Sequence, residues 1–241
     1  MKIMKKIGTL SLVCFLAATM TLSAQKRIKG NGNLTTTERN VGSYDGVFVG
    51  GSFDVELVAG AEGKISIKIE ENLLPYLVTE VKNGELVLNW KKGHTVKSTT
   101  KSKIIVPVKS INEVALGGSG NVYSSMTLNS SKLKVSLAGS GNVTLDVDTS
   151  TLSSNLAGSG NIKLSGTADA VACSLAGSGN IRASGLNASN VSSSISGSGD
   201  VHVGTVNALK VRVSGSGNVT YKGNPTTDVK ISGSGDVRKN E

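Results

Sequence analysis

Leu156-Ala157-Gly158-Ser159-Gly160-Asn161-Ile162-Lys163-Leu164 decides the fold, because the chain repeats this pattern with small changes seven times. The copies of Gly-Ser-Gly followed by Asn or Asp and then Val or Ile begin at Gly118, Gly139, Gly158, Gly177, Gly197, Gly215 and Gly233, in steps of 21, 19, 19, 20, 18 and 18 residues. A nearly constant period of this size marks a solenoid, in which each repeat buries its apolar face against the next.

Working outward from the corner, apolar residues occupy every second position. Leu133, Val135 and Leu137 precede Gly139, and Val143 and Leu145 follow it; Leu152, Ser154 and Leu156 precede Gly158, and Ile162 and Leu164 follow it. Val171, Cys173 and Leu175 hold the inward places of the next copy. A period of two is that of a strand with one buried face. Each repeat therefore reads as strand, tight corner, strand and looser corner. The predicted architecture is all-β: a right-handed parallel β-helix (solenoid) with rungs of about 18–21 residues, the hand following from the usual parallel crossover.

The corners need a positive φ, which Gly adopts freely and Asn or Asp tolerate. Stacking would align Asn121, Asn142, Asn161, Asn180, Asp200, Asn218 and Asp236 in one ladder, and Ser140, Ser159 and Ser178 in another. Amides one rung apart can hydrogen-bond along a stack, so both ladders are read as structural in preference to ligand-binding.

Upstream of the repeats the pattern loosens into wider, irregular rungs. Val47–Val49, Phe53–Val58, Ile65–Ile69 and Leu86–Leu88 read as strands, Lys82-Asn83-Gly84-Glu85 as a turn, and Glu71–Leu77, with Pro75, as a helical turn. The expected organisation is a signal peptide over 1–24, a lead-in over 25–43, one β-helix domain over 44–237 with regular repeats at 114–237, and a tail at 238–241.

The signal reading rests on Lys2, Lys5 and Lys6, the apolar run Ile7–Leu22, and the small residues Ser23-Ala24 before Gln25. The run is short and contains Thr9, Ser11, Thr19 and Thr21, which disfavours a retained span. Cys14 lacks the small neighbours of a lipoprotein cleavage site. The chain is thus expected in the periplasm, on the outer membrane surface or outside the cell, with no membrane span after cleavage. Cleavage lowers the net charge from +9 to +6 and leaves Cys173 as the only cysteine, so no internal disulfide can form. The densest basic segment, Lys91–Lys103, lacks the clustered Arg and interleaved aromatics of a nucleic-acid face.

Tyr44-Asp45-Gly46-Val47, Gly51-Ser52-Phe53-Asp54-Val55 and Asn83-Gly84-Glu85-Leu86, followed by the Gly-Ser-Gly-Asn-Val copies, resemble the head GIN domain of auto-transporter adhesins. The resemblance covers about residues 44–237. It implies an exported bacterial β-helix assigned to adhesion by analogy. No membrane-strand region follows the repeats within the sequence, so the chain is not expected to form its own outer-membrane pore.

Parallel β-helices also carry polysaccharide lyases and glycosidases, which makes catalysis the main rival. Glycoside cleavage uses two carboxylates about 5–9.5 Å apart. Asp200 and Asp236 fall two rungs apart with Asn218 between them, and Asp146 and Asp148 meet only Ser165 and Thr167 on the next rung. His94 and His202 have no Ser-Asp partners at triad spacing. A ladder of neutral amides is a poor cage for a hard cation. No catalytic residue, metal or cofactor is therefore assigned. Cys173 reads as a small core residue, and Trp90 is the one residue with the shape of a sugar platform. The resulting expectation is a non-enzymatic surface or periplasmic interaction module whose partner is a protein or a glycan; a purely structural scaffold is the third reading. Self-association through the C-terminal end, around Val229, Ile231 and Val237, is a further expectation.

Overall fold

A computed structural model describes residues 26–240 of the chain. The expected signal segment with Cys14, and residues 25 and 241, lie outside the described residues. Stacked parallel coils form a β-solenoid of about seven turns. Each coil has two long sides, here named the entry wall, which runs into the Gly-Ser-Gly corner, and the exit wall, which leaves it.

The entry wall stacks in unbroken register: Gly118, Gly139, Gly158, Gly177, Gly197, Gly215 and Gly233 pair in succession. The unequal repeat lengths are absorbed on the exit wall instead. Register shifts fall between Tyr123 and Thr127, between Lys163 and Ser165, and between Ala183 and Ala188. A bulge there displaces only its own strand, so the corner and the entry wall stay aligned. Inward columns such as Leu116, Leu137, Leu156, Leu175, Ile195 and Val213 are buried and form part of one continuous core. Each such side chain contributes roughly 1.5–3 kcal/mol by burial.

The two corner glycines have different reasons. The first of each copy has a left-handed φ, for example +123° at Gly158 and +134° at Gly139. The second does not, but it passes so close to the coil below that a Cβ on Gly160 would lie 2.3 Å from the carbonyl oxygen of Gly141. The expected sharing of positive φ between Gly and the following Asn or Asp does not occur. Asn83, in the hairpin turn, is the one non-glycine at positive φ among the described residues. Because glycine carries the turn, the Asn backbone stays out of the left-handed region and its amide is free to lie along the stack.

At the N-terminal end the coils do not follow chain order. Glu85–Trp90 lies beneath Gly46–Gly51, which lies beneath Glu113–Gly118. Leu77–Lys82 then covers the edge of Glu85–Trp90 as an antiparallel hairpin, its turn made by Asn83 (φ 52°) and Gly84 (φ 82°), the conformation a tight hairpin favours. On the other wall Leu34–Asn40 and Lys64–Glu70 add antiparallel strands to Lys103–Val108. A 3-10 helix, Glu71–Tyr76, buries Leu73. Parallel stacking thus extends below Val114, the expected start of the regular rungs, and antiparallel strands close it.

Where the lowest coil would turn its corner, the chain between Trp90 and Lys103 makes an excursion. His94–Lys97 pairs in parallel with Lys26–Lys29 as a separate two-stranded ribbon. At the other end, Thr226–Gly233 is exposed along its length, and Val229 and Ile231 are each 40% exposed.

Candidate functional site

The corner amides form a ladder of side-chain hydrogen bonds. Asn121 Nδ2 donates to Asp54 Oδ1 (2.6 Å), Asn142 to Asn121 (2.9 Å), Asn161 to Asn142 (3.0 Å) and Asn180 to Asn161 (3.1 Å). Asp200 cannot donate a side-chain amide, so the pattern changes there. Its backbone N–H donates to Asn180 Oδ1, and its carboxylate accepts from the backbone and side chain of Asn218, both at 2.9 Å. Asp236 closes the series through its backbone N–H to Asn218 Oδ1. Ser140, Ser159 and Ser178 stand exposed on the same corner, their N–H groups bonded to the glycine carbonyl of the coil below. These groups are largely occupied with one another.

Trp90 lies at the base of the corner column, half-buried and packed edge-to-face against Phe53 at 5.4 Å between ring centroids. Its Nε1 is buried without a hydrogen-bond partner. Phe53 stands where later copies have their second glycine, and the two rings together fill the foot of the corner.

The carboxylates of the exit wall are engaged by hydroxyls. Asp146 accepts from Thr127 (2.6 Å) and Ser165 (2.8 Å), and Asp148 accepts from Thr167 (2.7 Å). His202 meets Thr220 at 2.8 Å, while His94 contacts the Lys92 carbonyl and tilts against Tyr76. Among the described residues no group of three or more His, Cys, Asp or Glu could hold a metal ion.

Two outer surfaces have the breadth to receive a partner. A polar groove of about 720 Å³ follows the looser corner, with Asn129, Asp148, Thr167, Asp169, Asn187 and Asn207 in its lining. The entry wall has short outward side chains in its middle coils, where Ala138, Ala157 and Ala176 are stacked beside Ser136, Asn155 and Ser174, and it holds a concavity of about 520 Å³ lined by Ala170, Ala172, Ser192, Ala208 and Lys210 among others.

Stacking also brings together cations that are far apart in sequence. Lys163, Arg182 and His202 oppose one another on successive coils. The same column begins with Ile105, Glu56 and Tyr123, where Lys103, two positions earlier on the strand of Ile105, pairs with Glu56 at 2.7 Å and sits 5.8 Å from the Tyr123 ring centroid. The basic column went unread in the sequence. Each of its members is the fifth residue after the first corner glycine, so aligning outward positions as well as inward ones would have exposed it.

Beside the ribbon, Glu70 is fully buried. Burial alone would raise its carboxyl, but donors outweigh it and hold the pKa down to about 2. Ser98 Oγ and Thr99 Oγ1 donate at 2.5 Å, the Thr99 N–H at 2.9 Å and the Gly32 N–H at 2.7 Å. One carboxylate therefore ties down the chain following both ribbon strands. No sequence pattern marked this cage, because its donors are ordinary serines, threonines and glycines.

Comparison with known proteins gives a consistent picture. The family model described as putative auto-transporter adhesin, head GIN domain, matches residues 43–225. A putative adhesin of Bacteroides fragilis NCTC 9343 superposes with a TM-score of 0.83 at 26% identity, over 88% of this chain and 99% of that one. A putative lipid binding protein of Parabacteroides distasonis ATCC 8503 gives 0.74 at 31% identity, over 90% of this chain and all of that one. A putative adhesin of Parabacteroides merdae ATCC 43184 gives 0.71 at 26%, again over 90% and 100%. No curated protein matches the chain.

Proposed function

Because the chain belongs to the family of putative auto-transporter adhesin head GIN domains, we propose that it is an exported, non-enzymatic module that holds a protein or glycan partner at the cell envelope. The observation that carries this reading is the broad entry wall with its concavity. Its middle coils present short, neutral side chains that a partner can lie against, with little side-chain entropy lost on contact. The core and corners account for the amide ladder, the corner serines and Trp90, so these are assigned to structure. The exposed Val229 and Ile231 suit a second contact surface, for another copy of the chain or for a neighbouring envelope protein.

The test is a binding screen of the purified chain against immobilised glycans, matrix proteins and lipids, with fractionation of whole cells. Lipids belong in the screen because one similar structure is described as lipid-binding. Specific binding to one class, with the chain in the envelope or medium, supports the reading. A chain that stays in the cytoplasm and binds nothing refutes it.

One observation favours the carbohydrate-active alternative: Asp148 and Asp169 line the same groove. A glycosidase keeps one carboxyl protonated in a sheltered site, whereas both of these are exposed. Release of reducing ends from a polysaccharide, abolished by Asp148→Asn or Asp169→Asn, would establish the alternative.

A further inference from the structure

The ribbon at the N-terminal end concentrates positive charge that the fold leaves unbalanced. Lys26, Arg27, Lys29, Lys91, Lys92, Lys97 and Lys101 are all exposed, and among the described residues none of them forms an ion pair. Lys29 stands directly opposite Lys97, and Lys26 opposite His94. Like charges facing each other across strands destabilise a sheet, and a two-stranded ribbon has little stability in reserve. Folding alone gives no reason for this arrangement.

The ribbon is nonetheless held firmly. Ile28 and Val96 turn inward and pack against the core, which leaves Arg27, Lys29 and Lys97 outward. The Gly30 N–H bonds to the Lys97 carbonyl at 2.9 Å, and Asn72 Nδ2 to the Lys29 carbonyl at 2.8 Å. The Glu70 cage fixes the chain just beyond both strands. Gly30 is part of that fit, since a Cβ there would lie 2.1 Å from Glu70 Oε1. A buried carboxylate is costly to maintain, and here it fixes the geometry of a basic surface. Among the described residues the acids nearby form no ion pair with these cations: Glu70 is enclosed, Glu71 accepts from Asn31 and Asn33, and Asp54 accepts from Asn121.

Between the ribbon and the first corners lies a concavity of about 400 Å³, where Lys97 and Lys101 face Ser52, Thr100 and Asn121, with Asp54 at its side. Cations beside hydroxyls and an amide suit a ring bearing both a carboxylate and hydroxyl groups. We infer that the basic ribbon and this concavity bind an anionic polysaccharide of the polyuronate type. The inference rests on the interaction-module reading and adds to the entry wall a second surface with its own ligand class. The ribbon strands span roughly 13 Å, long enough for a polymer to engage more than one charged ring. A bilayer surface fits less well, because interfacial binding also needs exposed apolar anchors. Among the described residues the large exposed hydrophobics are Leu34, Val229 and Ile231, none of them in the ribbon.

The experiment uses the purified full chain with polygalacturonate, neutral dextran and phosphatidylglycerol vesicles as probes. Polygalacturonate should bind, dextran should not, and raising the salt should weaken binding by screening. Lys29→Ser/Lys97→Ser/Lys101→Ser should lower affinity roughly 100-fold at low salt, at about fivefold per cation removed from an anionic surface. Lys132→Ser/Lys163→Ser/Arg182→Ser removes the same charge elsewhere and should lower it far less. As a measurement that needs no variant, bound polygalacturonate should protect Lys29, Lys97 and Lys101 from acetylation and leave Lys132 and Lys163 reactive. Equal losses in the two triple variants, protection spread over all lysines, or preference for vesicles would each overturn the assignment. Binding to a protein or to dextran without any polyanion would overturn it too, while leaving the module reading intact; binding to nothing at all would remove both.

Discussion

Gly179→Ala should destabilise the solenoid by about 2–4 kcal/mol, although alanine is ordinarily the better residue in regular structure. Gly179 is the second glycine of its corner and has no left-handed φ, so backbone strain is not the cause. Its added Cβ would lie 2.2 Å from the Gly160 carbonyl oxygen and 2.8 Å from Leu156 Cδ2. The coils would have to part by about 1 Å, and the nearest bonds are Ser178 N–H and Gly179 N–H to Gly158 O, both 3.0 Å, and Asn180 N–H to Gly160 O, 3.1 Å. Losing one or two of these costs about 1 kcal/mol each, and overpacking adds about 1–3 kcal/mol. The reduced entropy of the unfolded chain returns about 0.4–1 kcal/mol.

Gly185→Ala is the matched control. It lies further along the same coil, also without a left-handed φ, and its Cβ would meet Ser165 Cβ at 3.3 Å. It should change stability by less than about 1 kcal/mol, as exposed substitutions usually do. Urea unfolding of both variants gives the comparison. Because a repeat protein can open locally, thiol labelling of Cys173 in the preceding segment gives a second readout. If Gly179→Ala unfolds within about 0.5 kcal/mol of Gly185→Ala, the close-approach account of the second glycine is wrong.

Three other substitutions probe the interior. Ser193 is 1% exposed and its hydroxyl has no partner, so Ser193→Ala should stabilise the fold by about 1 kcal/mol; a lower urea midpoint would mean that the hydroxyl is bonded. Burial pushes the Cys173 thiol up to about 12, so it should ignore thiol reagents at pH 8 until the protein unfolds, and Cys173→Ser should not alter native reactivity because there is none to lose. Glu70 titrates near 2 when folded against about 4.3 in an unfolded chain. Its contribution is therefore complete above the unfolded value and lost as pH falls toward 2. Glu70→Gln should melt lower than the wild type at pH 7, with the gap closing between about pH 4 and pH 2; a gap independent of pH would show that the carboxylate charge is not what the cage holds.

The parts of the fold that repeat were legible in the sequence, and the parts that do not repeat were largely not. Period two around each corner placed Leu137, Leu156 and Leu175 on one buried column, because a strand with one wet face leaves few alternatives. The out-of-order placement of Glu85–Trp90 beneath Gly46–Gly51 left no trace, since pairing between strands far apart in sequence depends on shape and not on local composition. The role of the second glycine was also hidden: a contact with the coil below is invisible to any argument about φ. In the sequence the ribbon shows only as the basic segment Lys91–Lys103, which lacks the features of a nucleic-acid face. Its opposition to Lys26–Lys29 is a tertiary fact, separated by about 70 residues of chain.

Within this one chain, inward and outward positions behave differently from coil to coil, and that difference bears on how such a fold acquires a binding surface. The inward column ending each entry strand holds only Leu, Ile or Val from Leu116 to Val213. The outward column through Tyr123 changes at almost every step, to Thr144, Lys163, Arg182, His202 and Thr220. Core packing and the glycine contacts hold the coils at one spacing whatever the outer side chains are. Charge can then be placed on the outside with no effect on the stack, provided that it stays in water, where like charges on neighbouring coils are screened. The ribbon departs from that rule. It lies off the stack, its charges oppose each other directly, and it needs a dedicated buried carboxylate to hold its shape. A surface that costs stability in this way, when the solenoid offers neutral ones freely, is the reason for proposing that the ribbon binds a ligand of opposite charge.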